Sequence, residues 1–69
     1  MNWLKQHREN KKFTQEQVAN ISQVSRAYYT NIERGNKRPT PEVAMRIAAA
    51  LDFDWTRFYE DPETETIPN

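Results

Sequence analysis

The sequence predicts an all-α fold built from five short helices. Capping residues recur along the chain, apolar residues follow a helical spacing, and no stretch alternates between apolar and polar residues as a strand would. The chain has 69 residues, one glycine, four prolines and no cysteine. We therefore expect one small domain with no disulfide bridge and no thiolate zinc site.

The first two helices are predicted from their starting residues. Asn2 is a residue type that caps helices, and we expect it to precede a helix over about residues 3–11. Thr14 and Gln17 have the spacing of a capping box, in which each side chain bonds to the backbone N–H of the other. A second helix is therefore predicted over about residues 15–22.

The remaining helices are predicted from the residues at their ends. Ser25 is a favoured N-cap, and Gly35 ends the helix that Ser25 begins, because glycine adopts a left-handed backbone most readily. Thr40 followed by Pro41 begins a fourth helix, since proline is favoured at the first helical position. Asp54 is placed to cap a last short helix.

Charge is distributed unevenly along a chain whose net charge is zero. Residues 1–59 hold all ten basic residues and six of the acidic ones, a net charge of +4, whereas residues 60–69 hold four acidic residues and no basic one. This asymmetry predicts a basic module over residues 1–59, followed by a flexible acidic tail over residues 60–69. The alternative for the tail is that it only keeps a small protein in solution.

Two capped helices joined by a short turn, about residues 15–22 and 25–34, are typical of a helix-turn-helix. If Tyr29 and Ile32 face inward, the side chains that face outward at 100° per residue suit the edges of bases. Arginine pairs with guanine, asparagine with adenine, and alanine contacts the thymine methyl. The alternative is a face that is merely solvated. The predicted base-reading residues are Arg26, Ala27, Thr30 and Asn31.

Three stretches of the sequence resemble one family: Phe13-Thr14-Gln15-Glu16-Gln17-Val18-Ala19, Val24-Ser25-Arg26 and Asn31-Ile32-Glu33-Arg34-Gly35. Together they are similar to the Cro/repressor-type helix-turn-helix family, also called the XRE family, over about residues 3–59. The resemblance implies a compact, lambda-repressor-like five-helix bundle that binds operator DNA, usually as a homodimer. It also implies that the helix beginning at Gln15 lies on phosphates and that the helix beginning at Ser25 reads the major groove.

The resemblance and the basic side chains beside the reading helix together predict the phosphate contacts. These residues are Gln15, Ser25, Tyr28, Arg34, Asn36, Lys37 and Arg38. The resemblance further implies a structural ion pair between Arg8 and Glu33, for which the alternative is two exposed charges with little effect on stability. The family often has glycine where this chain has Gln23 and Asp52. A left-handed conformation at Gln23 costs about 1–2 kcal/mol.

We therefore expect a sequence-specific regulator of transcription that binds double-stranded DNA as a homodimer, with residues 1–59 as its helix-turn-helix DNA-binding domain. We expect it to be a bacterial or phage-derived repressor that acts in the cytoplasm. One histidine, no cysteine and no glycine-rich phosphate loop disfavour a catalytic site, a metal site and a cofactor. No membrane or small-molecule partner is indicated. The alternatives are a protein-interaction module of antitoxin or adaptor type without specific DNA binding, and the DNA-binding fragment of a larger regulator. An enzyme is disfavoured.

Overall fold

Four α-helices and one 3-10 helix form the part of the chain that the structure, a computed structural model, describes, residues 1–60. The elements are α1 (Asn2–Asn10), α2 (Gln15–Ser22), α3 (Arg26–Arg34), α4 (Pro41–Leu51) and the 3-10 helix (Trp55–Tyr59). No strand occurs among these residues, so the all-α prediction is confirmed. The predicted fifth helix is a 3-10 helix of five residues, so the expected count of five α-helices is not confirmed.

The predicted acidic tail lies outside the described residues from Asp61 onward. Within residues 1–60 we find no helix with the length and apolar character needed to cross a bilayer.

Capping interactions determine where α2, α3 and α4 begin. The hydroxyl of Thr14 accepts a hydrogen bond from the Gln17 N–H at 3.0 Å, and the Thr14 N–H donates to Gln17 Oε1 at 2.8 Å, which completes the predicted capping box. Ser25 and Thr40 each accept from the backbone N–H three residues later, at 3.0 and 3.3 Å. These hydrogen bonds satisfy amides that have no partner inside the helix, and the predicted starts of the three helices are confirmed.

The predicted cap of α1 is wrong. Asn2 is an exposed residue inside the first turn of α1, and Met1 is the N-cap, since its carbonyl accepts from the Lys5 N–H at 3.3 Å. Met1 packs against the core, and its amino group donates to the Glu33 carbonyl at 2.6 Å. Contacts with α3 therefore hold Met1 at the cap position, and they outweigh the local preference of asparagine for that position.

Three helices end at a residue with a left-handed backbone. The φ angle is 63° at Gln23 after α2, 82° at Gly35 after α3 and 64° at Asp52 after α4. Glycine adopts this conformation without a steric penalty, whereas a residue with a Cβ atom does so at a cost of about 1–2 kcal/mol. Gln23 thus adopts the left-handed conformation with its steric cost, and Asp52, a residue type that tolerates this conformation better, adopts it too.

The core lies where the apolar faces of the four helices and the 3-10 helix meet. Its buried members are Leu4, Val18, Ala19, Tyr29, Ile32, Ala44, Ile47, Leu51 and Phe58. Within α4 the buried residues Ala44, Ile47, Ala48 and Leu51 lie on one face, because they occupy positions i, i+3, i+4 and i+7 of a helix. Trp3 of α1 contacts the segment after α4, since its ring lies 5.3 Å from the rings of both Phe53 and Phe58.

Replacing Gln23 with glycine should raise the free energy of unfolding by up to about 1 kcal/mol, because glycine has no steric penalty in the left-handed conformation. The gain is smaller than the full penalty, since glycine loses more backbone entropy on folding. Urea denaturation followed by circular dichroism measures the change. Gln23→Ala is the matched control: it shortens the same exposed side chain but retains the Cβ atom, so it should give no gain. An equal gain in both variants would contradict the assignment of strain to the backbone.

Candidate nucleic-acid interface

The buried carboxylate of Glu33 lies where α1, α2 and α3 meet. It accepts hydrogen bonds from Arg8 Nε at 2.6 Å, from the Tyr29 hydroxyl at 2.7 Å and from Gln15 Nε2 at 3.0 Å. The side chains of Arg8 and Glu33 are only 11% and 6% exposed. Arg8 also donates to the carbonyl of Phe13 at 2.9 Å, in the segment between α1 and α2. One carboxylate thus joins the three helices, and it does so from the last turn of α3.

The hydrogen bonds keep this carboxylate ionised. Burial raises the pKa of Glu33, but the bonds donated by Arg8, Gln15 and Tyr29 outweigh burial, and the pKa of Glu33 lies below its ordinary value. The bond with Glu33 raises the pKa of Arg8. Burial raises the pKa of Tyr29, and the bond with Glu33 raises it further. At neutral pH all three groups therefore have the protonation states that this network needs.

Gln15 connects the carboxylate network to the outer surface of α3. Its Nε2 donates to Glu33, and its Oε1 accepts from the Thr30 hydroxyl at 3.0 Å. An amide nitrogen carries two N–H donors, and among residues 1–60 only one of them is bonded. Gln15 therefore has one donor left for an external acceptor such as a phosphate oxygen. The hydrogen bond that Gln15 Oε1 accepts holds the side chain of Thr30, one of the predicted base-reading residues.

The orientation of α3 is set by its buried side. Tyr29 and Ile32 are fully buried, and the residues on the opposite side, Arg26, Ala27 and Arg34, are exposed. The other two predicted outward residues, Thr30 and Asn31, are half-buried. Thr30 is partly covered because its hydroxyl bonds to Gln15 of α2.

Asn31 lies at the border between α3 and the loop that follows it. Its backbone carbonyl accepts from the N–H groups of Asn36 and Lys37 at 2.9 and 3.3 Å, and its side-chain oxygen accepts from Asn36 Nδ2 at 3.4 Å. The predicted phosphate contacts Asn36, Lys37 and Arg38 are all exposed in this loop, directly beside Asn31. The structure therefore brings the predicted reading helix and the basic loop into one continuous surface.

Ser25 and Tyr28, two of the predicted phosphate contacts, differ in how exposed they are. Ser25 is exposed, and its hydroxyl oxygen is engaged as the cap of α3. Tyr28 is half-buried and packs against the core. The structure places both at the start of α3, beside Arg26.

A surface groove runs over the start of α2. It is lined by Arg8, Lys12, Phe13, Thr14, Gln15, Glu16 and Arg26. Lys12 and Arg26 thus flank the N-terminus of α2, where the helix dipole also favours negative charge. Lys12 is absent from the predicted contacts. The sequence offers no signal that separates it from its neighbour Lys11, which pairs instead with Asp52 at 3.9 Å.

Comparison with known proteins identifies the family of this fold. The helix-turn-helix family model matches residues 4–58, which include all four α-helices except the first two residues of α1. The chain belongs to the XRE-type helix-turn-helix family. It is similar to the uncharacterized HTH-type transcriptional regulator YqaF of Bacillus subtilis (strain 168), with 51% identity over 67 residues, which cover 97% of this chain and 88% of YqaF. No solved structure matches the chain.

In this helix-turn-helix domain the motif itself is α2, the turn at Gln23–Ser25 and α3. The membership confirms the family that the three sequence stretches indicated. It supports a DNA-binding regulator, and the family is one of transcriptional regulators and not of enzymes.

The stability of this helix-turn-helix domain should depend on the ionisation of Glu33. Its pKa is lowered in the folded state, so its contribution is complete above the unfolded value of about 4.3 and is lost as the pH falls through the folded value. Glu33→Gln keeps the shape but leaves Arg8 without a counter-charge, at a cost of about 3–5 kcal/mol at neutral pH. Urea unfolding of the wild type and of Glu33→Gln should show that the difference between their free energies of unfolding becomes smaller below about pH 4. A difference that stays constant with pH would contradict the role given to this carboxylate.

Proposed function

We propose that the protein is a sequence-specific regulator of transcription that binds double-stranded DNA and reads the major groove with α3. One observation carries this proposal: between residues 26 and 40 every exposed charged side chain is basic. The only acidic residue of that segment, Glu33, is buried and bonded to Arg8. The surface formed by α3 and the loop that follows it therefore carries no exposed acidic side chain between residues 26 and 40.

The base-reading role is proposed for four side chains of α3. Arg26 lies in the first turn, the end of the reading helix that enters the major groove in this motif. Arginine and asparagine each make two parallel hydrogen bonds with one base, and alanine contacts the thymine methyl. The bond from Thr30 to Gln15 fixes the threonine side chain before DNA arrives. The proposed set is Arg26, Ala27, Thr30 and Asn31.

Phosphate contacts are proposed on both sides of the reading residues. On one side lie the start of α2 and the groove that Lys12 and Arg26 flank. On the other side lies the exposed loop that follows α3. Basic side chains there neutralise phosphates and release counterions, which supplies affinity without sequence preference. The proposed set is Gln15, Ser25, Tyr28, Arg34, Asn36, Lys37 and Arg38.

A homodimer and repression of transcription complete the proposal. One reading helix of nine residues contacts few base pairs, and domains of this motif bind two half-sites by pairing. The similarity to YqaF, named as a transcriptional regulator, supports a role in regulation. Residues 1–59 would form the DNA-binding domain.

The second candidate, a protein-interaction module without specific DNA binding, is disfavoured by the basic surface on α3 and its exit loop. Selection of bound sequences from random duplex DNA separates the two, since only a DNA reader enriches a motif.

Base reading is tested by truncating one reading residue at a time. Arg26→Ala should weaken binding to the best enriched site by about 1–3 kcal/mol more than binding to scrambled DNA. It should also relax the sequence preference at one base pair of each half-site. Asn31→Ala should do the same at a different base pair. Fluorescence anisotropy titrations of both duplexes at one salt concentration measure the losses. Equal losses on the two duplexes for both variants would mean that neither side chain reads a base.

Phosphate contact by the loop is tested through the salt dependence of binding. Arg38→Ala should weaken binding to DNA of every sequence by the same factor and reduce the slope of log affinity against log salt by about one unit. Arg46→Ala is the matched control. It removes the same charge from α4, where the guanidinium bonds to Glu42 at 2.6 Å. The control should keep the wild-type slope. If the two variants give the same slope, Arg38 contacts no phosphate.

A further inference from the structure

Tyr59 connects the end of the described chain to the basic loop after α3. Its hydroxyl donates a hydrogen bond to the carbonyl of Pro39 at 2.9 Å, across 20 positions of sequence. Pro39 is buried, whereas Asn36, Lys37 and Arg38 before it are exposed. The bond therefore holds the backbone immediately after the residues proposed to contact phosphate.

The same side chain contacts the side chain of a proposed DNA-binding residue. The guanidinium carbon of Arg38 lies 6.0 Å from the centroid of the Tyr59 ring, at the outer range of a cation–π contact. The Tyr59 ring is itself held edge-on by Trp55, with 5.9 Å between the ring centroids. The 3-10 helix thus supports both the backbone and a side chain of the loop.

The loop is also anchored at its two ends. At its start the N–H groups of Asn36 and Lys37 bond to the carbonyl of Asn31, and at its end Thr40 caps α4. Pro39 restricts its own φ angle but has no N–H to donate. The bond from Tyr59 adds a further anchor, and it comes from outside the helix-turn-helix motif.

We propose that Tyr59 is a positioning residue for DNA binding, which holds the loop of residues 36–39 in one conformation before DNA arrives. The inference rests on the proposed function, because it assigns the loop to the phosphate backbone. A side chain or loop that is ordered before association loses less conformational entropy when it binds. Tyr59 acts through Arg38 and its neighbours and does not itself contact DNA.

The test removes the hydroxyl and keeps the ring. Tyr59→Phe should bind both the enriched site and scrambled DNA about three- to tenfold more weakly, the fold-change that corresponds to one net hydrogen bond. Amide hydrogen exchange followed by NMR should become faster at Lys37 and Arg38 and stay unchanged in α2 and α3. Thr56→Val is the matched control: it removes a hydroxyl from the same 3-10 helix, where Thr56 bonds to Asp54 at 2.8 Å. This control should keep wild-type affinity.

A double substitution distinguishes positioning from a general loss of stability. In an Arg38→Ala background, Tyr59→Phe should have a smaller effect on DNA affinity than in the wild type, because the side chain that it positions is gone. If the wild type binds DNA and Tyr59→Phe binds equally well, the inference is wrong and the proposed function stands. If exchange accelerates throughout the four α-helices, Tyr59 is merely structural and the inference is again wrong. If the wild type binds no duplex, the proposed function fails and the inference fails with it.

Discussion

The carboxylate of Glu33 is the interaction on which the rest of the structure depends. A buried charge is strongly unfavourable unless donors replace the water it has lost, and here three side chains from α1, α2 and α3 supply them. The same arrangement sets the position of α3 relative to α2, which is the geometry that a helix-turn-helix requires. It also buries the only acidic side chain of residues 26–40 and pairs its charge with Arg8. One residue therefore serves both the fold and the electrostatics of the surface.

The helix boundaries were predictable from the sequence because the interactions that set them are local. The capping box of Thr14 and the hydroxyl caps of Ser25 and Thr40 each act within three residues, and the left-handed glycine at Gly35 acts at a single position. The start of α1 was not predictable in this way. Met1 is held by contacts with α3 and the core, and no local pattern reports an interaction across 32 positions.

The sequence predicted which side of α3 faces solvent, but it did not predict the hydrogen bonds between side chains of different elements. Helical spacing placed Tyr29 and Ile32 inward, and their burial leaves the opposite side of α3 to solvent. Spacing does not report which polar groups meet across the fold, such as Thr30 with Gln15 or Tyr59 with Pro39. These bonds depend on how the helices pack, and for this reason Thr30, which was predicted to point outward, is half-buried.

Net charge is a poor guide to the partner of this chain, because an approaching polyanion responds to the charges near its own surface. Interactions between exposed charges are screened beyond about 8 Å at physiological salt. Two acidic side chains elsewhere in the fold have basic neighbours: Glu42 bonds to Arg46 on α4, and Asp52 lies 3.9 Å from Lys11. These pairs add little to the local potential on α3, where the exposed charges are all positive. A chain with zero net charge thus presents a basic surface on α3 and its exit loop.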